Sequence, residues 1–350
     1  MSNMVQQTRA QQASETMKRV YRYQATHQTR SVIRRSGKVR FIKDTDWERG
    51  VFWSCVAAAW LATSDQEYLD GVINYTLHTG FRPGPNLRFA DDLICCQAYL
   101  DVWPVIAIPE ALEPTIKAIS AIVPKPGRED WWWCDALFMA PATFAALSKC
   151  THDPRYLAYM DQAFWDAVEH LRDPETGLFY RDHRYIPDGN GSELREENGQ
   201  KVFWSRGIGW VLAAIPRLLA RMPEDYAGRQ RYLNLFIDLA DKVIRYQHED
   251  GLWRTSLLDP HRFPAPESSA TALFCYGLCW GGNQGVLPVE IYLPVVEKAW
   301  DALQGCIHDN GMIGWVQLPA FNPRDVKFEH NIDYGAGAYL LAATEVMRLK

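Results

Sequence analysis

Six stretches of this sequence open on aromatic or acidic residues and run straight into small ones, and each is separated from the next by a more amphipathic helical pattern. The openings are Trp47-Glu48-Arg49-Gly50-Val51, Phe89-Ala90-Asp91-Asp92, Trp133-Cys134-Asp135-Ala136, Trp204-Ser205-Arg206-Gly207-Ile208-Gly209-Trp210, Glu267-Ser268-Ser269-Ala270 and Asp333-Tyr334-Gly335-Ala336-Gly337-Ala338. Apolar residues recurring at three- and four-residue spacing predict helices over 12–27, 49–64, 66–79, 91–103, 106–122, 135–149, 154–171, 205–221, 229–248, 268–281, 290–305 and 334–348. Small residues let helices approach closely, as an inner ring requires, whereas the amphipathic helices suit an outer ring with one wet face. One inner and one outer helix per unit is a weak internal repeat. Six such hairpins closing on themselves make an all-α (α/α)6 barrel. An open solenoid of helical hairpins has the same local pattern. The long, unequal loops before the inner helices favour the barrel, because they would cover one mouth and build a pocket there.

Composition narrows the functional classes. With 350 residues, 47% hydrophobic and 23% charged, the chain can bury a sizeable core. A net charge of −5 and a pI of about 6.0 argue against a general nucleic-acid or membrane-surface binder, which needs a basic stripe. The eight cysteines form no CxxC pair and no Cys/His zinc spacing, and read as buried thiols of a reducing compartment. The polar stretch 1–35 has no apolar core of a signal peptide, and no run of about 18 apolar residues occurs. A cytoplasmic protein is expected, without metal or organic cofactor. Residues 1–35 are expected to be a partly flexible segment carrying the first helix, with 36–350 a single domain.

Three consecutive indoles, Trp131-Trp132-Trp133, run into Asp135. Flat apolar faces beside an acid suit stacking on sugar rings. Burial against indole also raises a carboxyl pKa and keeps a proton available. The competing reading is a Trp-rich core with Asp135 as a helix N-cap. If the inner helices aim their N-termini at one mouth, Trp47, Asp91, Asp92, Trp133, Asp135, Trp204, Arg206, Trp210, Glu267 and Tyr334 converge there.

Four motifs then carry a resemblance: Trp-Trp-Trp-Cys-Asp-Ala-Leu-Phe-Met-Ala-Pro (131–141), Phe-Ala-Asp-Asp-Leu (89–93), Phe-Trp-Ser-Arg-Gly-Ile-Gly-Trp (203–210) and Glu-Ser-Ser-Ala-Thr-Ala-Leu-Phe (267–274). From about residue 40 onward the chain resembles the unsaturated rhamnogalacturonyl hydrolases of glycoside hydrolase family 105, relatives of the unsaturated glucuronyl hydrolases. The resemblance implies an (α/α)6 barrel acting on the 4,5-unsaturated uronic acid that polysaccharide lyases leave at a non-reducing end. The implied chemistry is hydration of the C4=C5 bond, unlike the usual two-carboxylate displacement at the anomeric carbon. By the same resemblance Asp135 is the general acid and then the base, and Asp91 or Asp92 is the second acid. Trp133 stacks on the unsaturated ring, Arg206 and Trp210 contact the sugar and its carboxylate, and His183 contacts substrate. Lys125, in the loop before the Trp run, is a further candidate contact, and Trp47 and Tyr334 are candidate wall residues.

Bland alternatives stand beside each: N-caps for the aspartates, core packing for Trp133, a structural salt bridge for Arg206, a solvated surface position for His183. Glu267 can instead hold its own loop by hydrogen bonds. The acidic loop from Arg181 to Lys201 would cap the mouth, and its acids point to a neutral leaving sugar such as rhamnose. Rival readings are a glucuronyl hydrolase on glycosaminoglycan or ulvan fragments, a sugar epimerase (His330 is the one histidine just before an inner helix), or a noncatalytic sugar-binding barrel. The expected partner is an unsaturated disaccharide, with the chain a monomer or homodimer.

Overall fold

The computed structural model describes residues 2–33, 36–123 and 130–349, with side chains from Arg9 onward. Its elements are α1 (Ser2–Thr26), β1 (Ser31–Ile33), β2 (Val39–Phe41), α2 (Trp47–Thr63), α3 (Gln66–Thr79), α4 (Cys95–Ile106), α5 (Glu113–Ser120), α6 (Ala136–Met139), α7 (Pro141–Thr151), α8 (Pro154–Leu171), α9 (Ser205–Leu219), α10 (Arg229–Val243), α11 (Ser268–Asn283), α12 (Val289–Gln304) and α13 (Asp333–Val346).

The inner helices form a closed ring. α2 packs on α4, α4 on α7, α6 and α7 on α9, α9 on α11, α11 on α13, and α13 back on α2. An open solenoid leaves its first and last units apart, so the fold is the (α/α)6 barrel. Outside the ring, α3 covers α2 and α4, α8 covers α7, α10 covers α9 and α11, α12 covers α11, and α1 covers α13. Burial separates the two classes as the sequence pattern demands. Every residue of α9 and α13 is buried, whereas α12 buries only Tyr292, Val296, Ala299, Trp300 and Leu303, one stripe of a helix. Glycine permits the tightest inner contacts. A Cβ on Gly50 would lie 2.9 Å from the backbone nitrogen of Cys95, and one on Gly337 would lie 3.1 Å from Cα of Phe52.

Buried polar clamps fix the ring. Arg217 on α9 donates to Gln97 Oε1 on α4 (2.7 and 3.1 Å) and to the Ser54 carbonyl on α2 (3.4 Å), and Gln97 Nε2 donates to the Phe138 carbonyl on α6 (3.0 Å). At the seam between the first and last inner helices, the Asp333 carboxylate accepts from Arg49 Nε (2.7 Å), Gln24 Nε2 (2.6 Å) and the Thr29 amide (2.8 Å). A buried charge met by a cation and two neutral donors is held, where an unpaired one would be expelled.

The expected helix boundaries shift where local chemistry intervenes. The segment expected over 135–149 is split: α6 is a single turn, and Pro141, lacking an amide hydrogen, opens α7 as its first residue. The segment expected from 91 begins instead as a 3-10 turn, Ala90–Leu93, with α4 following. Pro216 does not break α9; it sits in the last turn, and its carbonyl still accepts from the Ala220 amide at 3.0 Å. The short extended pieces expected near 177–181, 251–254 and 311–315 make only isolated bridges, Arg172 with Phe179, Trp253 with Glu267 and Ile307 with Ile313.

The pairing of β1 with β2 was not legible in the sequence pattern. Its Ile33, Val39 and Phe41 are 78%, 55% and 74% exposed, so no apolar alternation announces a buried face. Arg40, on the opposite face, ties the hairpin to the start of α2 by ion pairs with Asp46 (2.7 Å) and with the buried Glu48. Among the described residues no helix is long and apolar enough to cross a membrane.

Candidate active site

The N-terminal ends of inner helices bring Asp135 near Asp91 and Arg206, with Arg181 reaching it from a loop. The Asp135 backbone is already helical (φ −61°, ψ −30°), and its side chain caps nothing, so the N-cap reading does not describe it. The carboxylate meets the guanidinium of Arg181 instead, with Oδ2 3.5 Å from Nε, and accepts from Cys134 Sγ at 3.6 Å. Burial pushes the Asp135 carboxyl above its usual range, partly opposed by the Arg181 and Arg206 cations.

The adjacent aspartates face different ways. Asp92 Oδ2 accepts from the Asn86 amide at 2.6 Å and the Asp92 carbonyl accepts from the Gly84 amide at 2.7 Å, so Asp92 ties down the 84–86 loop. The Asp91 carboxylate makes no hydrogen bond or ion pair among the described residues. It retains some solvent access, yet protein surrounds it, and burial followed by repulsion from Asp135 raises its pKa well above an ordinary carboxyl. Two acids that feel each other, one held near a cation and one unpartnered, are suited to proton transfer.

The three tryptophans diverge. Trp131 packs edge-on to Phe144 and Tyr159 in the core, and Trp133, 1% exposed, stacks on Phe89 at 4.7 Å between centroids. Trp132 is the half-exposed member, with the Arg181 guanidinium 5.2 Å from its ring. The indole that keeps exposure is therefore Trp132, and not the Trp133 that the resemblance singled out.

Arg206 and Trp210 are buried. The Arg206 guanidinium is sandwiched between the rings of Trp204 (4.6 Å) and Tyr334 (4.8 Å), and Tyr334 in turn stacks on Trp47 at 4.7 Å. Its terminal nitrogens donate to the backbone carbonyls of Gln317 and Leu318, so they are not a free fork for a sugar carboxylate. Trp210 lies behind this stack against Phe138 (4.7 Å) and Tyr334 (6.2 Å). Trp47 keeps partial exposure; Tyr334 is sealed, its hydroxyl donating to the Gln317 carbonyl.

Gln317 is the hub that sequence reasoning missed. Its amide donates to Glu267 Oε1 (2.9 Å), its Oε1 accepts from Trp204 Nε1 (2.8 Å) and its Nε2 donates to the Asn322 carbonyl (2.8 Å). Glu267 also caps α11 through the amides of Ser269 and Ala270, so it holds loops in place. Together these pin the 315–322 segment, and with it Phe321, across the mouth. Arg181 was also missed. It follows a short extended piece with no motif around it, yet it bridges Asp135 and Asp182 (2.8 Å) and lies 4.9 Å from the Phe321 ring centroid.

His183 shares that loop; its side chain is exposed and makes no hydrogen bond among the described residues. Lys125 lies outside the described residues. His330 is met by the Lys327 amide at its Nδ1 (3.3 Å). Glu48, next to Trp47, is buried and its carboxyl is pushed up to about 7 by burial, with Arg40 pulling the other way. Among the described residues no group of His, Cys, Asp and Glu is arranged to hold a metal ion.

Comparison with known proteins agrees with this fold. A family profile described as Glycosyl Hydrolase Family 88 matches residues 16–350. An unsaturated 3S-rhamnoglycuronyl hydrolase of Formosa agariphila is 37% identical over 321 residues, covering 87% of this chain and 85% of that protein. One of the same name from an Alteromonas species is 38% identical over 280 residues, covering 74% and 66%. Among solved structures, a family 88 glycosyl hydrolase from Bacteroides vulgatus superposes with a TM-score of 0.87 at 28% identity, covering 97% of this chain and 99% of the other. Structures described as possible family 105 members, at 21–22% identity, share the fold. The chain belongs to Glycosyl Hydrolase Family 88 and is a glycoside hydrolase of the kind that acts on unsaturated uronides.

Proposed function

We propose that the protein removes the 4,5-unsaturated uronic acid from the non-reducing end of lyase-generated oligosaccharides by hydrating C4=C5, with rhamnose as the leaving sugar. The observation that carries this is the pairing of Asp135 with Asp91, two carboxyls raised by burial that sense each other, with Arg181 the cation in contact with Asp135. The names of the Formosa and Alteromonas relatives support a rhamnose-linked unsaturated uronide. The double bond erases the stereocentres at C4 and C5, so rings derived from galacturonate and glucuronate differ only in their anomeric linkage. The leaving sugar then defines the substrate class.

In this reading the Asp135 carboxyl gives its proton to C4. A water oxygen adds to C5 and returns a proton to the Asp135 carboxylate, so the net addition is H and OH. The C5 hemiketal opens its ring, C1 becomes a hemiacetal, and the next sugar leaves as a free alcohol. Asp91 orients the water or the ring. Arg181 supplies the cation for the uronate carboxylate, since Arg206 spends its terminal nitrogens on backbone carbonyls. Trp132 and Trp47 offer the half-exposed indole faces. We read residues 36–350 as one catalytic domain with α1 packed onto it, working as a monomer or homodimer. Eight free thiols, seven of them buried, support a reducing, cytoplasmic setting.

The test is loss of the ultraviolet absorbance of the conjugated double bond in lyase digests. Asp135→Asn should lower the rate by about 10³-fold or more, and Asp91→Asn by more than Asp92→Asn. Near-wild-type turnover by a folded Asp135→Asn protein would remove the mechanism.

A further inference from the structure

Asp91 lies in the 3-10 turn Ala90–Leu93, Asp135 opens α6, and the turn packs against α6. The two stretches of chain that deliver these acids are also tied to each other. Arg88, just before the turn, donates through Nη1 to both carboxylate oxygens of Asp130 (2.8 and 2.7 Å), at the head of the Trp run that leads to Asp135. Asp130 is 1% exposed and also accepts from the Tyr159 hydroxyl of α8 (2.8 Å), so the acid end of the pair is fixed to the outer ring. Closer to the two acids, Phe89 stacks on Trp133 (4.7 Å, planes 25° apart). At the far end of the turn, the Leu93 carbonyl accepts from Thr143 Oγ1 of α7 (3.2 Å).

A guanidinium nitrogen shared by both oxygens of a buried carboxylate is a strong, directional tie. The inner ring has its own clamps in Arg217 with Gln97 and Asp333 with Arg49, so this pair is not what closes the barrel. What it fixes is the place of the turn relative to the Trp run. The Asp91 carboxylate has no hydrogen bond or ion pair of its own among the described residues, so its turn sets where that carboxylate stands. Proton transfer and water orientation are steep in distance: a displacement of about 1 Å costs on the order of 10²-fold in rate. The groups that bear most on Asp91 are Asp135, Arg181, Glu48 and Asp92, and those on Asp135 are Arg181 and Arg206, with Cys134 donating to it. Arg88 is not one of these, so its removal reaches the two acids through their placement.

We propose that Arg88 and Asp130 are positioning residues: their ion pair, with the Phe89–Trp133 stack beside it, sets the separation of the Asp91 and Asp135 carboxylates. This rests on the unsaturated-uronide reading above. Trp133 then serves as a brace between the two acid-bearing stretches, in keeping with its burial. Two like acids held close push their titrations apart, and the gap narrows as they separate. Arg88 is the member open to substitution, its side chain 39% exposed.

The experiment measures kcat, KM and the pH–rate profile on unsaturated uronyl-rhamnose oligosaccharides from a lyase digest, with thermal unfolding alongside, for wild type, Arg88→Met, Arg88→Lys and Arg88→Met/Asp130→Asn. Arg88→Met should lower kcat by about 30-fold, leave KM within about threefold, and narrow the gap between the two limbs of the profile by about 0.5 pH unit. Arg88→Lys keeps the charge and should recover part of both. The double variant removes the buried charge that Arg88→Met leaves unpaired, so it should regain thermal stability while kcat and the gap stay at the Arg88→Met values. Recovery of kcat together with stability, or an unchanged gap in Arg88→Met, overturns the positioning role and leaves the hydrolase intact. If Arg88→Met does not fold, the double variant decides by the same two readings. No turnover by the wild type overturns the hydrolase reading, and this proposal with it.

Discussion

Asp91 and Asp92 are neighbours in sequence with the same side chain, and their surroundings give them different work. Asp92 is tied to the Asn86 amide, whereas Asp91 has no hydrogen-bond partner among the described residues and senses Asp135. Spacing narrowed the choice to these two; the direction of each side chain depends on the 84–86 loop, which no motif announces. Arg206 and Arg181 show the converse. The motif drew attention to Arg206, but its flanking Trp204 and the Gln317 carbonyl lock it inside the wall. Arg181 reaches the site because the loop after α8 returns to the mouth, where its carbonyl also accepts from the Cys134 amide (2.9 Å). Such returns are tertiary and leave no local signature. Arg181 favours the charged form of Asp135, so its removal raises the carboxyl further. In Arg181→Met the alkaline limb of the pH–rate profile should therefore move to higher pH, with kcat/KM reduced by about 10²-fold. A limb that stays in place or moves down in pH would mean that Asp135 is not the titrating acid.

Elements were legible where burial repeats with helical period and obscure where a side chain or proline interrupts it. α12 reads directly from its stripe, whereas α6 and α7 read as one helix until Pro141 is given its due. The β1–β2 hairpin was missed because most of its apolar residues, Ile33, Val39 and Phe41, face water. Among the described residues its inward face carries the ion pairs of Arg40 with Asp46 and Glu48 and the packing of Val32 on the core. That seam has a pH signature. Glu48 titrates near its ordinary 4.5 when unfolded and at about 7 when folded, so between those values the folded state holds the extra proton. Stability contributed at this position is thus complete below about pH 4.5 and is lost as pH rises toward 7, by roughly 2–3 kcal/mol. Glu48→Gln should flatten that slope in urea denaturation measured at pH 5 and pH 8, gaining on the wild type only at the higher pH. An equal effect at both would show that Glu48 is already ionised in the folded protein.

At the scale of the whole molecule, the alternation of small-residue and amphipathic helices was enough to expect stacked helical hairpins, and the long, unequal loops before the inner helices favoured a closed barrel over an open solenoid. The residues that lock the closure were not evident, since they lie far apart in sequence. Asp333 bonds Gln24, Thr29 and Arg49 across separations of 309, 304 and 284 residues. Asp333→Ala would leave Arg49 buried without this partner, and should cost about 3–5 kcal/mol in thermal or urea unfolding. A loss below about 1 kcal/mol would show that the seam is held by packing alone. The seam also bears on how the protein is made. Synthesis delivers α1 and α2 first and α13 last, at about 5–20 residues per second. The surfaces of α1 and α2 that α13 will cover therefore wait on the ribosome for most of translation. Loop closure over such distances is slow. Until the last inner helix emerges, the nascent chain presents an unfinished edge, and Asp333 is among the residues whose arrival closes it.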